Sequence, residues 1–239
     1  MNGRKAIRIV WMLLFSLVLL PGMIVLGFSQ WGNRRHLIVS TLVLAATFFP
    51  FLLHFERRKP QARELVLIAV LIAMGVAGRE LFVWLPQGKP VAALVLVVGA
   101  SLGAESGFLT GAAIAFFSNF LFTQGPWTPW QMLAFGSLGL AAGLMFSGRK
   151  KAPSRIGFAL FGGAAVMILY GGLVDGSTMM MVGDRLTWEM IVTIYTLAIP
   201  YNLMHAGATV VFLLLGVLLM FRVLDRIQTK YGFYEETAL

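Results

Sequence analysis

VAALVLVVGASLGAESGFLTGAAIAFFSNFLF, residues 91–122, contains no Lys, Arg or Asp, and its only ionisable side chain is Glu105. Glu105 lies in a Gly-Ala-Glu-Ser-Gly break that divides the stretch into two short apolar pieces. The next residues, TQGPWTPWQ (123–131), combine proline, tryptophan and amide side chains. A single long membrane-anchoring helix needs neither the central break nor the turn that follows. Two short apolar pieces joined to such a turn are typical of a membrane protein that builds a pocket near one face of the bilayer.

The composition is that of an integral membrane protein. Of the 239 residues, 59% are hydrophobic and 12% are charged, and the mean hydropathy is +0.83. Soluble domains carry about 25% charged residues. The net charge of +9 does not indicate nucleic acid binding, because the basic residues lie in the gaps between apolar runs. Without cysteine there are no disulfides, thiolate metal sites or cysteine nucleophiles, and the three widely spaced histidines give no metal-ligand pattern.

Apolar runs of about 20 residues predict membrane-spanning helices. The predicted spans are 7–28, 36–55, 63–85, 91–103, 106–122, 129–147, 155–175 and 200–222, with a further, partly polar helix at 187–199. The fold class is therefore all-α, in two parts: a pair of N-terminal transmembrane helices in residues 1–60 and a six-helix membrane domain in residues 61–239. The first apolar run is too long for a signal-peptide core, so we expect it to be retained.

The basic residues predict the orientation. With eight crossings, four segments lie on the same side of the membrane: the one before the first span, the ones between spans two and three and between spans six and seven, and the one after span eight. These segments and the adjoining helix ends hold 14 of the 19 Lys and Arg residues. Positive charge near span ends favours the cytoplasm. We therefore expect both termini in the cytoplasm, and residues 85–90, 123–130 and 175–186 on the outer side.

Small residues recur at every fourth position from Gly99 to Ala115, and again at Gly139 and Gly143. Such rows let helix backbones approach closely in lipid, so they predict packing inside the bundle. A similar row, Ala69, Ala73 and Ala77, lies in the third predicted span. Internal packing is the default for that row, and a docking face for another membrane subunit is the alternative.

Enzyme signatures are few. Gly99-Ala-Ser101-Leu-Gly103 matches the G-x-S-x-G hydrolase pattern, with His205 as a conceivable base, but that elbow belongs after a soluble β-strand. We interpret Ser101 as a packing residue and expect no catalytic residues. The chain has no G-x-x-x-x-G-K-[ST] phosphate loop and no carboxylate pair within a span. Any uphill transport would therefore take its energy from another subunit.

Polar and aromatic residues near the outer ends of the spans are the candidates for solute binding, since such a pocket combines aromatic rings with a few polar groups. An interfacial aromatic belt is the alternative for the tryptophans. We expect Arg79 and Glu80 to form an ion pair at a helix end. The candidate binding residues are Gln87, Lys89, Asn119, Gln124, Trp127, Trp130, Tyr201, Asn202 and His205.

From about residue 62 to 225 the chain resembles the substrate-binding S components of energy-coupling factor (ECF) transporters. The resemblance lies in three features: the row Ala69, Ala73 and Ala77, the loop Leu85-Pro-Gln-Gly-Lys-Pro90, and the segment Asn119…Gln124-Gly-Pro-Trp-Thr-Pro-Trp-Gln-Met132. The last feature looks most like the cobalamin-type S components. The first 60 residues depart from the family pattern because they add two helices to the usual six.

The resemblance implies a six-helix vitamin-binding membrane subunit without enzymatic activity or a cofactor of its own, in the bacterial cytoplasmic membrane. Its ligand would be cobalamin or a related corrinoid. Ala69 and Ala73, with Ala77, would dock on a transmembrane scaffold subunit that carries two cytoplasmic ATPases. Gln87, Lys89, Asn119, Gln124, Trp127 and Trp130 would lie at or near the pocket mouth. Two other classes stay open: an intramembrane serine hydrolase using Ser101 and His205, and a non-transporting membrane scaffold.

Overall fold

The computed structural model describes residue 42 and residues 61–148, 153–182 and 187–231, and every regular element in this part of the chain is helical. Six continuous helices follow one another in the described residues. The fifth consists of three consecutive segments: α5, a π-helical segment and α6. The elements are α1 (Ala62–Leu81), α2 (Val91–Leu102), α3 (Ala104–Phe122), α4 (Thr128–Phe146), α5 (Arg155–Ala165) continuing through a π-helix (Val166–Gly171) into α6 (Gly172–Val182), and α7 (Trp188–Tyr231). The predicted N-terminal spans 7–28 and 36–55 lie outside the described residues, apart from residue 42.

Helix α1 is shorter than the span 63–85 predicted from the sequence. It ends at Leu81, and residues 82–90 form turns. Pro86 disfavours helical geometry at Leu85. Ahead of it the chain already forms turns, in which Val83 N donates to Glu80 O and Leu85 N donates to Phe82 O. The loop folds back on α1, since a Cβ on Gly78 would lie 3.1 Å from Pro90 Cγ. This fold brings Lys89 to the end of the bundle.

Helix α2 is the centre of the core. Its side chains from Val91 to Ala100 are all buried, and it contacts α1, α3, α4, α5 and α7. The predicted break after it is confirmed: α2 ends at Gly103, whose φ of 102° favours glycine, and α3 begins at Ala104. The short apolar piece is therefore an internal helix that the other helices surround.

The glycine rows pack inside the bundle, as their spacing predicts. A Cβ on Gly99 would collide with the backbone of Gly139, and a Cβ on Gly139 would collide with the backbone of Gly107. We call Gly99, Gly107 and Gly139 the glycine interface. At these three positions α2, α3 and α4 touch backbone to backbone, which is how small residues hold helices together in lipid.

Helix α7 replaces two predicted elements. The sequence predicts separate helices at 187–199 and 200–222, but one helix runs from Trp188 to Tyr231 through Pro200. Proline removes one backbone hydrogen bond and usually kinks or ends a helix. Here contacts on either side of it hold α7 against the preceding helix: Tyr195 Oη donates to Gly172 O (2.9 Å) and Asn202 Nδ2 donates to Asp175 Oδ2 (2.6 Å).

Three helical segments are long and apolar enough to cross a membrane: Thr128–Phe146, Arg155–Met179 and Trp188–Tyr231. At about 1.5 Å per residue, the 44 residues of α7 extend about 66 Å, roughly twice the thickness of a bilayer core. No described side chain of α7 before His205 is buried. These features support the assignment of an all-α membrane protein.

Candidate functional site

A buried arginine joins α1 to α3. Ile68, Leu71, Gly75 and Arg79 form the buried stripe of α1, and Arg79 is only 7% exposed. Its Nη1 donates to Ser118 Oγ and to Asn119 Oδ1, the latter at 2.8 Å. A buried charge is costly unless hydrogen bonds compensate for the lost water, so these contacts fix the C-terminal half of α1 on α3.

Asn119 extends this contact to the turn before α4. Its Nδ2 donates to Thr128 Oγ1 at 3.0 Å and to Gln131 Oε1 at 2.8 Å. Thr128 Oγ1 in turn donates to Gln124 Oε1 (2.9 Å) and accepts from Gly125 N (3.2 Å). A continuous set of hydrogen bonds therefore connects α1, α3, the turn at residues 123–127 and α4. We call it the Arg79 cluster: Arg79, Ser118, Asn119, Gln124, Thr128 and Gln131.

Two cations lie over one aromatic ring beside this cluster. Arg79 Cζ is 4.5 Å and Lys89 Nζ 4.6 Å from the centroid of Phe122. Burial lowers the pKa of Lys89 from its ordinary value; the positive charge of Arg79 acts in the same direction, and Glu80 opposes it. No salt bridge to either cation forms among the described residues. The predicted Arg79–Glu80 ion pair is therefore wrong, because Ser118 and Asn119 hold the guanidinium instead.

The π-helix carries an aromatic residue that packs on a buried histidine. Tyr170 packs edge-on against His205, with ring centroids 4.6 Å apart, and also contacts Phe135 at 4.6 Å. His205 is 3% exposed, and its Nδ1 has no hydrogen-bond partner among the described groups. π-Helices occur frequently at functional sites, where the extra residue redirects side chains.

The other predicted binding residues occupy different surroundings. Trp130 is 1% exposed and belongs to the hydrophobic core, whereas Tyr201 is 60% exposed. The ring of Trp127 covers Gly125, and Gln87 lies in the loop after α1 with a positive φ of 55°. Asn202 pairs with Asp175, as described for α7. Of the predicted set, Asn119 and Gln124 lie in the Arg79 cluster and Lys89 lies beside it. His205 packs instead against the ring of Tyr170.

The alanine row faces away from this site. Ala73 is two residues from Leu71 and two from Gly75, both buried, and at about 100° per residue it lies on the opposite side of α1. Ala69, Ala73 and Ala77 are all exposed, and so are the neighbouring Val70 and Met74. We call Ala69, Ala73 and Ala77 the alanine face. Internal packing against the described helices does not account for it.

Ser101 and His205 lie at opposite ends of the bundle. The backbone oxygen of Ser101 accepts a hydrogen bond from Gln228 Nε2 at 2.9 Å. Gln228 and His205 belong to the same helix, and the 23 residues between them correspond to about 35 Å. A nucleophile and its base need to be about 3 Å apart. The two residues therefore do not form the Ser–His pair of a hydrolase.

Sequence reasoning missed several members of the site: Arg79 as a bridge, Ser118, Phe122 and Thr128. The sequence could have predicted that Arg79 faces inward. It continues the three-to-four-residue spacing of Ile68, Leu71 and Gly75, which places it on the buried stripe of α1. The π-helix that redirects Tyr170 leaves no such pattern. Comparison with family models, with curated proteins and with solved structures finds no match to this chain.

Proposed function

We propose that this chain is the membrane-embedded substrate-binding subunit of an ATP-driven ECF vitamin uptake transporter, with cobalamin or a related corrinoid as its ligand. It lies in the bacterial cytoplasmic membrane with both termini in the cytoplasm. The observation that carries the proposal is the two-faced character of α1. One face holds Arg79 in a buried polar cluster, and the other presents the alanine face outward.

The Arg79 cluster supports solute binding. Polar groups inside a membrane protein are costly, and they are retained where they serve a substrate or partner. The cluster gathers side chains from α1, α3, the turn at residues 123–127 and α4, and it borders the ring of Phe122. A corrinoid carries many amides, which hydrogen-bond well to Asn and Gln side chains.

The alanine face supports docking. Small side chains let a second helix approach closely without side-chain interdigitation, which drives helix association in lipid. The partner is a transmembrane scaffold subunit with two cytoplasmic ATPases. The chain itself binds and does not catalyse. The separation of Ser101 from His205 removes the specific support for the serine hydrolase alternative.

The test of this function uses Ala73→Trp. A tryptophan on the alanine face blocks close helix approach, so uptake of radiolabelled cyanocobalamin by cells should fall at least about tenfold while binding to the purified subunit stays unchanged. Leu215→Trp is the control, because Leu215 is 76% exposed on a different helix. Normal uptake by Ala73→Trp at equal expression would overturn the docking role. Absence of any bound solute in the purified protein would favour a non-transporting scaffold.

A further inference from the structure

We infer that the Arg79 cluster recognises an anionic group, a carboxylate or phosphate, on a water-soluble solute. The group binds between Arg79 and Lys89 beside the ring of Phe122. This inference rests on the proposed function, because it assumes that the solute binds at this cluster. It adds the charged group by which the solute is recognised, which the resemblance does not specify.

The first argument is the arrangement of charge. Arg79 and Lys89 contact the same Phe122 ring, at 4.5 Å and 4.6 Å from its centroid, and neither has a salt-bridge partner among the described residues. Two like charges close together repel, and removal from water strengthens the repulsion. Within the described residues neither cation forms a salt bridge. An anion that binds between them therefore gains an electrostatic attraction that no side chain of the described protein already provides.

The second argument is the unused hydrogen-bonding capacity of Arg79. A guanidinium has five N–H donors in a planar fork. The bonds to Ser118 and Asn119 both use Nη1, and within the described residues Nε and Nη2 have no acceptor. Lys89 Nζ donates no hydrogen bond there either. A fork held on one side by protein acceptors is preorganised to take a carboxylate or phosphate on the other.

The negative groups near the cluster do not compensate these cations. Glu80 acts on both Arg79 and Lys89, but its buried Oε1 has no hydrogen-bond partner among the described residues. Asp175 accepts a hydrogen bond from Asn202. One carboxylate beside two cations leaves an excess of positive charge. His205 adds a buried nitrogen, Nδ1, that is likewise unpartnered within the described chain.

A lipid phosphate is the other possible source of an anion. The position of Arg79 favours a soluble solute, since the residue belongs to the inward stripe of α1 with Leu71 and Gly75 and is 7% exposed. A phosphate fixed to a lipid would approach from the outer surface of α1, which is the alanine face. A free solute enters from the aqueous end of the bundle, where the loop carries Lys89.

The experiment measures binding of acid and amide forms of the same solute. The wild-type chain, purified in non-ionic detergent, is titrated with cobyric acid against cobinamide, nicotinate against nicotinamide, and biotin against biotinamide. Small molecules released from protein produced in complex medium are identified by mass spectrometry. At least one acid should bind ten times or more tighter than its amide, and the released solute should carry a carboxylate or phosphate.

The variants locate the effect. Lys89→Met should weaken binding of the acid about tenfold and leave the amide unchanged, and Arg79→Gln should weaken it further. Lys230→Met is the matched control, because Lys230 Nζ also lies over an aromatic ring, 5.5 Å from the centroid of Tyr231, on the far end of α7. If Arg79→Gln fails to fold, Lys89→Met decides alone, since Lys89 makes no hydrogen bond within the described chain.

The outcomes separate the two proposals. Equal binding of acid and amide, or an acid preference that survives Lys89→Met and every folded Arg79 variant, overturns the anionic class while the proposed function stands. Release of a phospholipid in place of a soluble solute also overturns it. If no soluble molecule is released and neither cyanocobalamin nor any member of the panel binds to wild type, the proposed function fails and this inference fails with it.

Discussion

Helices α3 and α4 are joined by different means at their two ends. Towards the Gly103 break, Gly107 and Gly139 bring the two backbones into contact, and Gly143 does the same against Ala104. At the other end Asn119 donates hydrogen bonds to Thr128 and Gln131. The first contact has no side chains to rearrange, whereas the second consists entirely of side chains.

The difference shows where function can reside in this pair of helices. Lipid offers helices no hydrophobic reason to associate, so close backbone packing or interhelical hydrogen bonds must hold them. The glycine interface uses all of its surface for packing and leaves nothing for a ligand. The Arg79 cluster also joins the helices, and it keeps unused donors on Arg79.

The largest expected effect comes from a side chain in the glycine interface. A Cβ at Gly139 would meet backbone atoms of Gly107, which cannot move unless α3 and α4 separate. We expect Gly139→Val to cost about 3 kcal/mol or more of folding free energy, at the upper end of overpacking effects, and to leave little folded protein. The measurement is thermal unfolding and monodispersity in detergent.

Gly216→Val is the control for this substitution. Gly216 is also in the middle of a helix, but a Cβ there meets nothing within 4 Å. Its unfolding temperature should stay close to that of the wild type. If Gly139→Val folds as well as Gly216→Val, the backbone contact between α3 and α4 is not what holds this end together.

A smaller loss is expected at the polar end. Asn119→Leu keeps the approximate shape but removes an acceptor from Arg79 and the donor to Thr128 and Gln131. Buried groups left without partners cost about 1–3 kcal/mol, so we expect about 2 kcal/mol of destabilisation. Binding of the acidic solutes should fall as well, because Arg79 is no longer held in place.

Asn202→Leu provides the comparison for a single interhelical bond. Among the described residues Asn202 donates only to Asp175, so its replacement should cost about 1 kcal/mol or less, near the average for hydrogen bonds between membrane helices. Chemical or thermal unfolding of the two variants side by side measures the difference. Equal losses would mean that the three hydrogen bonds of Asn119 together stabilise the bundle no more than the single bond of Asn202.

Much of the fold follows from the sequence because it depends on local patterns. Glycine at every fourth position between Gly99 and Gly111 predicts backbone contact, and the Gly103 break predicts two short helices. These features need only the periodicity of a helix. The length of helix α7 was not predictable in this way, because a proline such as Pro200 usually ends a helix. The hydrogen bonds that hold α7 on both sides of Pro200 go to Gly172 and Asp175, which belong to another helix.

The site was predictable in composition but not in arrangement. Asn119 stood out because an amide in an apolar helix needs a partner. The identity of that partner, Arg79 at a distance of 40 residues, depends on which face of α1 packs on α3. Trp130 matches the composition of a pocket lining, yet it fills the core. The sequence does not distinguish these roles, because aromatic rings serve both.

The smallest expected effect is the response of the polar end to pH, which the glycine interface cannot share because it has no titratable group. Lys89 attracts an anion only while it is protonated, so affinity for an acidic solute should fall as the pH rises through its pKa. Burial and the charge of Arg79 lower that pKa, against the opposing effect of Glu80. The fall should therefore begin at a lower pH than for an exposed lysine.

Isothermal titration from neutral to alkaline pH measures the affinity for the acidic solute. Binding of the amide form, and binding of the acid to Lys89→Met, are the controls, and neither should change with pH over this range. A parallel fall in Lys89→Met would assign the titration to another group and remove Lys89 from the contact between this end of the bundle and its ligand.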